Sequence, residues 1–323
     1  MGGLMEVSSP IDVPRLRAEL DTATRVQFQA PLSDADYRTL AAILAEHPSV
    51  TLRAYGFDTE LSTLRFLRWF PHLRRLSVAD LFHLTDLTPL HQLDADVEFL
   101  DLGETRKPLD LTPATAFRNL RELRIATHHR GLADLLHTNP NLQGLALWRI
   151  PVDQILPIVT LPHLQSLSLT LGSLTDAEWL TQIPTLSYLA VRNVRRLTNL
   201  EPVTRLPALQ WLILNALTID QLPDFSPSTA LLRVDLDGMR RLRQPNALHG
   251  LAAAPRLQDL WVTQSSLPAE AFIPFASHPT LTHVGVGLGS ERRNRAAEHL
   301  LGRTPPPRDD DYFAATHNLL YIL

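Results

Sequence analysis

The sequence predicts an α/β solenoid, with a concave parallel sheet and a convex side of short helices, 3-10 turns and loops. Residues 142–207 carry the signal: they divide into three lines that each open with Leu-x-x-Leu-x-(Leu/Val). Each line closes on an apolar residue followed by proline, at Pro162, Pro184 and Pro207. The lines repeat at about 22 residues, a period typical of stacked supersecondary units.

The same opening recurs along most of the chain. Openings stand at Leu73, Val97, Leu120, Leu142, Leu164, Leu186, Leu209, Leu231, Leu257 and Leu281, separated by 22 to 26 residues. One coil cannot bury its leucines alone, whereas stacked coils bury them against one another. We therefore expect about ten to eleven coils in an array over residues 49–290.

Two segments point to a known family. LTDLTPLHQL (84–93) and LTNLEPVTRLP (197–207) are similar to the L-x-x-L-x-P-L-x-x-L half of leucine-rich repeats, closest to the internalin-like bacterial class. The resemblance implies a horseshoe-shaped solenoid. Internalin repeats carry Asn at the ninth position, and here that position holds Leu81, Thr105, His128, Ile150, Gly172, Val194, Leu217, Met239 and Ser265. Without this ladder of Asn side chains, we expect the coils to be held together mainly by apolar packing.

Both ends differ from the repeats. Residues 1–48 predict an N-terminal cap: a helix from Ile11 to Leu20, a strand at Val26–Phe28, and a helix that Ser33 caps and that runs through Glu46. Residues 291–323 predict a closing helix over 291–301, an extended break over 303–311, and an apolar tail. We expect the tail to fold back over the last coil, with a disordered or partner-binding tail as the alternative.

Composition limits the classes of function. The formal net charge is −4 and the pI is near 6.3, so nothing favours a nucleic acid or a membrane as partner. The absence of cysteine excludes disulfides and thiolate metal sites. The first ten residues lack the pattern of a secretory signal, and no apolar run is long enough to span a bilayer. We expect a cytoplasmic protein.

No motif indicates catalysis or a cofactor. Gly285, Gly287 and Gly289 precede a helix start and could form a phosphate cradle, but their spacing matches neither a dinucleotide fingerprint nor a P-loop. The adjacent His128 and His129 lack the spacing of metal ligands. We expect a protein that is not an enzyme and that holds neither metal nor cofactor.

The candidate site lies on the concave sheet. Side chains alternate along a strand, so positions three, five and seven of each opening point away from the leucine core. The candidate partner-binding residues are Phe99, Asp101, Trp148, Tyr188, Arg192, Trp211, Ile213, Arg233, Asp235, Asp237, Asp259 and Trp261. Exposed aromatic and arginine side chains are typical of binding hot spots, and the acidic group suits a partner with a basic patch. Alternatively, one or two of the aromatics pack under the tail or a loop.

These observations favour a non-enzymatic solenoid that binds a protein. The version we favour is an inhibitor or immunity-type protein that neutralises a bacterial toxin or enzyme, and a regulatory scaffold or adaptor fits nearly as well. Nucleotide binding at residues 285–290 and carbohydrate binding by the tryptophans are weaker hypotheses. The sequence leaves open whether the chain is a monomer or a homodimer.

Overall fold

A computed structural model describes residues 3–56, 60–151, 154, 156–302 and 308–322. The chain divides into two compact units, Met1–Leu161 and Pro162–Leu323. Val152 and Ile155, both apolar positions of the repeat at residue 142, lie outside the described residues.

In the first unit, parallel strands pair in chain order. The strands are β1 (Gly3–Glu6), β2 (Ala23–Phe28), β3 (Thr51–Ala54), β4 (Arg75–Ser77), β5 (Phe99–Leu102), β6 (Glu122–Ala126) and β7 (Gly144–Trp148). The α-helices are α1 (Val13–Leu20), α2 (Asp34–Glu46) and α3 (Leu132–His137), and 3-10 helices cover Arg65–Trp69, Thr88–Gln92, Thr112–Ala116 and Leu156–Thr160.

The second unit repeats this pattern. Its strands are β8 (Ser166–Thr170), β9 (Tyr188–Arg192), β10 (Trp211–Asn215), β11 (Arg233–Asp237), β12 (Asp259–Thr263) and β13 (His283–Val286). The α-helices are α4 (Glu201–Thr204), α5 (Ile273–Ala276), α6 (Glu291–Leu301) and α7 (Asp310–Thr316), and 3-10 helices cover Glu178–Gln182, Leu251–Ala253 and Ala269–Phe272.

The leucines of the openings form the core of each unit. Leu123 and Leu145 pair in register in the first unit, as do Leu189 and Leu212 in the second, and all four are at most 1% exposed. Each strand is short because the next residues turn the chain into a helical segment. Proline stands in the first turn of several of these segments, where its missing N–H costs no hydrogen bond.

A left-handed residue ends most strands. It stands at the eighth position of the repeat, and the residues concerned are Asp80, Thr127, Arg149, Leu171, Asn193, Ala216, Gly238 and Gln264. A positive φ costs about 1 kcal/mol or more for a residue with a Cβ atom. The repeat nevertheless imposes this turn even where the residue is leucine or alanine.

Polar side chains link successive coils, in addition to the apolar packing predicted. At the ninth position, buried His128 accepts a hydrogen bond from the Leu109 N–H (3.0 Å) and its Nε2 lies 2.9 Å from the Gly103 carbonyl oxygen. Three residues before an opening leucine, the side chains of Asn139 and Ser228 donate to carbonyl oxygens of the preceding coil. These hydrogen bonds supplement the apolar packing, and those of Asn139 and Ser228 lie at a position other than that of an Asn ladder.

The ends add two elements that the sequence did not predict. β1 pairs with β2 at the start of the sheet in the first unit. Residues 310 and 311, expected in an extended break, begin α7, because the Asp309 carboxylate accepts the Tyr312 N–H at 2.8 Å and caps the helix. Residues 303–307 of the predicted break lie outside the described residues. α6 covers the residues expected for the closing helix.

Candidate binding faces

The side chains that alternate with the buried leucines form one face on each unit. The first face comprises Arg25, Gln27, Thr51, Arg53, Arg75, Ser77, Phe99, Asp101, Glu122, Arg124, Ala146 and Trp148. The second face comprises Ser166, Ser168, Tyr188, Ala190, Arg192, Trp211, Ile213, Asn215, Arg233, Asp235, Asp237, Asp259, Trp261, Thr263 and His283. Every candidate residue from the sequence lies on one of these two faces.

The chain's own C-terminal segment covers part of the second face. We call its described residues, 308–322, the C-terminal strap. The Trp211 ring lies 5.3 Å from the Phe313 ring and 5.2 Å from the Tyr321 ring, with Tyr188 at 5.2 Å on its other side. Trp211 and Tyr188 are both 0% exposed. The tail thus packs on β9–β11 and not over the last coil as predicted, because these strands present the aromatic surface that its apolar side chains can bury.

A buried ion-pair network joins the strap to the same face. The Arg233 guanidinium is 2% exposed and donates to the Asp235 carboxylate at 3.1 Å. It also donates to Asp310 of the strap. In return, Arg308 of the strap lies 3.0 Å from an Asp235 oxygen. Two guanidiniums and two carboxylates therefore neutralise one another. Arg233 and Asp235 are buried, so this half of the network is stable only while each charge keeps its partners.

The protonation of the network follows from its burial. Burial raises the pKa of Asp235, although Arg233, Arg308 and the Trp211 indole N–H all favour its charged form. For Asp310, burial acts to raise the pKa, but the hydrogen bonds and charges of Arg308 and Arg233 outweigh it and hold the pKa below its usual value. The Asp310 carboxylate is thus the charged anchor of the strap.

The expected exposure of the large apolar candidates on the second face is wrong for Tyr188, Trp211 and Ile213, because the strap and its neighbours bury them. Trp261 is half-buried. Beside it, a cleft of about 460 Å³ opens between the strap and the face, lined in part by Asp259, His283, Tyr312 and His317. A role for these residues in binding a partner stays a prediction.

The charged candidates of the second face already have partners within the chain. Asp237 accepts hydrogen bonds from Asn215 (2.5 Å) and Thr263 (2.6 Å), and Asp259 pairs with His283. Arg192 donates to Ser168 at 2.8 Å. The acidic group that suggested a basic partner is therefore engaged by groups of this chain.

The aromatics of the first face differ in exposure. Trp148 is 47% exposed at the end of β7. Phe99 is only 3% exposed, because the guanidiniums of Arg75 (4.7 Å) and Arg124 (5.4 Å) lie against its ring. Asp101 accepts a hydrogen bond from Ser77 at 2.7 Å, and burial raises its pKa.

Sequence reasoning missed the strap residues that complete the second face: Arg308, Asp310, Phe313 and Tyr321. A signal was present, since the tail is apolar and aromatic and the outward positions of β9 and β10 carry unexplained aromatics. Packing the tail on these strands buries both the apolar side chains of the tail and the aromatic side chains of the strands. Nothing in the sequence fixes which strands the tail would reach.

The glycines near residue 287 have a structural explanation. A Cβ atom on Gly285 would lie 2.1 Å from the Trp261 ring, so the ring packs directly on the backbone there. Within the described residues, no group of three or more His, Cys, Asp or Glu side chains is placed to hold a metal ion. In the same part of the chain, no helix has the length and apolar content to cross a membrane.

The stacked parallel strands, helical returns and buried opening leucines define a leucine-rich-repeat solenoid, and the fold class predicted from the sequence is confirmed. No protein-family model matches the chain, and no curated protein matches its sequence. Among solved structures, an internalin (InlF) from Listeria monocytogenes is similar, with a TM-score of 0.53 and 18% identity, over 84% of this chain and 82% of that one.

A second similar structure is the TLR13–ssRNA13 complex. Its TM-score is 0.54 and its identity 16%, over 88% of this chain, which spans only 44% of that one. At such identities both likenesses establish the fold. The predicted resemblance to internalin-like repeats is confirmed at that level.

Proposed function

We propose that this chain is a protein-binding solenoid that engages its partner through the open face of its repeat sheet. One observation carries the proposal: the second face already holds a polypeptide segment, the C-terminal strap. It does so with stacked aromatics around Trp211 and a buried arginine–carboxylate network at Arg233. Aromatic and arginine anchors of this kind dominate the energetics of protein interfaces.

The first face offers a comparable surface for a separate protein. Trp148 presents an exposed indole at one end of the face, and the guanidiniums of Arg75 and Arg124 flank the Phe99 ring. Tryptophan and arginine are among the residues most enriched at the binding hot spots of protein interfaces. We therefore place the partner on the first face.

Within this proposal, inhibition of a toxin or enzyme is the version we favour, and a scaffold is the alternative. An inhibitor suppresses the activity of the protein that it binds, whereas a scaffold leaves that activity unchanged. Assaying the captured protein with and without this chain separates the two. Loss of its activity supports the immunity-type role, and full activity contradicts it.

Site-specific photo-crosslinking tests the proposal. A photoreactive phenylalanine analogue at Trp148 samples the first face, and the same analogue at Leu156 samples a 3-10 helix of the same unit. The two side chains are similarly exposed, 47% and 50%, so they form a matched pair. In cells of the source organism, we expect one discrete protein adduct from position 148 and none from position 156.

Identical adducts from both positions would indicate nonspecific collision. No adduct from either position, with the protein folded and abundant, would contradict protein binding by this face.

A further inference from the structure

We propose that the first face recognises a carboxylate on its partner: an aspartate or glutamate side chain from an acidic protein segment, bound between Arg25 and Arg124. The inference rests on the proposed function and adds the chemistry of the partner. It reverses the sequence-based expectation of a basic patch, because the groups left without partners on the open surface are guanidiniums.

Four arginines lie on the first face, and two of them have carboxylate partners. Arg53 pairs with Asp80 and also donates to Gln27 at 3.0 Å. Arg75 lies 3.2 Å from Glu122 and donates to Thr51 at 3.3 Å. These two guanidiniums are held in place by groups of the same unit, and we assign them no ligand.

Arg25 and Arg124 differ from this pair. Within the described part of the chain, neither donates a hydrogen bond or forms an ion pair. Arg124 contacts the Phe99 ring, and its buried Nε has no acceptor among those residues. A buried donor without an acceptor costs about 1–3 kcal/mol, so a rotation of the guanidinium that brings this N–H to an acceptor of the partner recovers that free energy.

The two residues lie on β2 and β6 of the same face, and the positive charge of Arg124 acts on Arg25. Burial lowers the pKa of Arg25, and the positive charges of Arg53 and Arg124 lower it further. Asp101, which lies among these three arginines, is buried, accepts from Ser77 and has a raised pKa. It therefore offsets their repulsion only in part. An added anion between Arg25 and Arg124 relieves the repulsion and completes the hydrogen bonding.

Several observations favour a protein carboxylate over a nucleic acid. The first face carries Asp101 and Glu122 among its arginines, and Asp80 pairs with Arg53 beside them; these carboxylates repel a chain of phosphates. A single carboxylate next to apolar residues fits this face. The guanidiniums can donate hydrogen bonds to it, and Trp148 lies exposed on the same face to contact an apolar neighbour.

The test is a nuclear magnetic resonance titration of the full chain labelled with ¹⁵N-arginine, which reports each Nε–H group. The probe is a short peptide that contains glutamate and tryptophan, and its control is the same peptide with glutamine for glutamate. We expect the Arg25 and Arg124 signals, assigned by Arg→Lys variants, to shift with the glutamate peptide alone. The Arg17 and Arg118 signals should remain unchanged.

The variant carrying Arg25→Gln and Arg124→Gln should bind the glutamate peptide about tenfold or more weakly, as expected when hydrogen bonds to a charged group are lost. The variant carrying Arg17→Gln and Arg118→Gln has the same net charge, and it should bind like the wild type. Both arginines of this control are exposed and lie away from the first face. Circular dichroism verifies that every variant is folded.

Three results would overturn the inference: equal binding of the glutamine peptide, equally weakened binding in the control variant, or displacement of the glutamate peptide by single-stranded RNA at equal charge.

The crosslinking experiment separates the carboxylate inference from the proposed function. An adduct at position 148 that persists in the Arg25→Gln, Arg124→Gln variant removes the carboxylate inference and leaves protein binding intact. Absence of the adduct in the wild type removes the proposed function itself.

Discussion

At the scale of single residues, His128 shows how one side chain can replace a repeat's usual polar link. It occupies the ninth position, where the internalin-like pattern has Asn, and it accepts from the Leu109 N–H while its Nε2 lies 2.9 Å from the Gly103 oxygen. A neutral imidazole can do both at once, with Nδ1 as acceptor and Nε2–H as donor. Burial lowers the pKa of His128 below its ordinary value of 6.5. The link therefore requires the neutral ring.

We expect His128 to make stability depend on pH. Because the folded state binds this proton less tightly than the unfolded state, the free energy of unfolding falls as pH drops below about 6.5. One group contributes a slope of at most about 1.4 kcal/mol per pH unit. In His128→Asn the amide keeps both hydrogen bonds and cannot titrate, so that slope should disappear. Urea unfolding at several pH values between about 5 and 8 measures this slope, because the range spans the ordinary histidine pKa.

The control for this prediction is His129→Asn, in the neighbouring half-buried residue. It should keep the wild-type dependence on pH. An unchanged slope in His128→Asn would mean that other groups cause the acid sensitivity.

At the scale of elements, the repeat imposes its turn more strictly than its residue types suggest. The eighth position adopts a positive φ in coil after coil, including 55° at Leu171 and 52° at Ala216. Gly238, with φ of 60°, fills the same position in the coil after Ala216, so a glycine is compatible with this turn. The strand before the turn and the helical segment after it are anchored by buried leucines, and their packing offsets the local strain.

We expect Ala216→Gly to stabilise the protein by about 0.5–1 kcal/mol, since glycine adopts a left-handed conformation without the Cβ penalty. The matched control is Ala208→Gly, at a half-buried alanine that ends the preceding coil and whose φ is not positive. At residue 208, glycine only increases the conformational entropy of the unfolded chain, so it should lower the free energy of unfolding by a similar amount. Urea midpoints of both variants decide the matter. A loss of stability in both would show that the turn at residue 216 is not strained.

At the scale of the whole chain, the two faces are in different states. On the second face, residues 77 positions apart in sequence, Arg233 and Asp310, form an ion pair. The strap buries Phe313, Leu319 and Ile322 to 9% exposure or less. On the first face, Arg25 and Arg124 keep unused hydrogen-bonding capacity within the described residues. The same repeat thus produces one surface that the chain itself occupies and one on which two guanidiniums lack partners among the described residues.

We expect Phe313→Ala to loosen the strap, because truncating a buried phenylalanine costs about 3–5 kcal/mol and the ring packs on Trp211. Hydrogen exchange should show lost protection of strap amides such as Leu319, which donates to the Ala314 oxygen at 2.8 Å. Tyr312→Ala is the control: it removes the adjacent ring, which is 70% exposed. Its strap should stay protected. Equal protection in Phe313→Ala would mean that the ion pairs alone hold the strap.

The sequence by itself determined the repeat, its alternation and the residues that form each face. These follow from a period of about 22 residues and from the side-chain alternation of a strand, both of which are local properties. Only the tertiary structure decided which outward residues stay open. Trp148 and Trp211 occupy equivalent kinds of position, yet one is 47% exposed and the other fully buried. The difference arises from a long-range contact with the chain's end, and short-range periodicity carries no information about where such a segment docks.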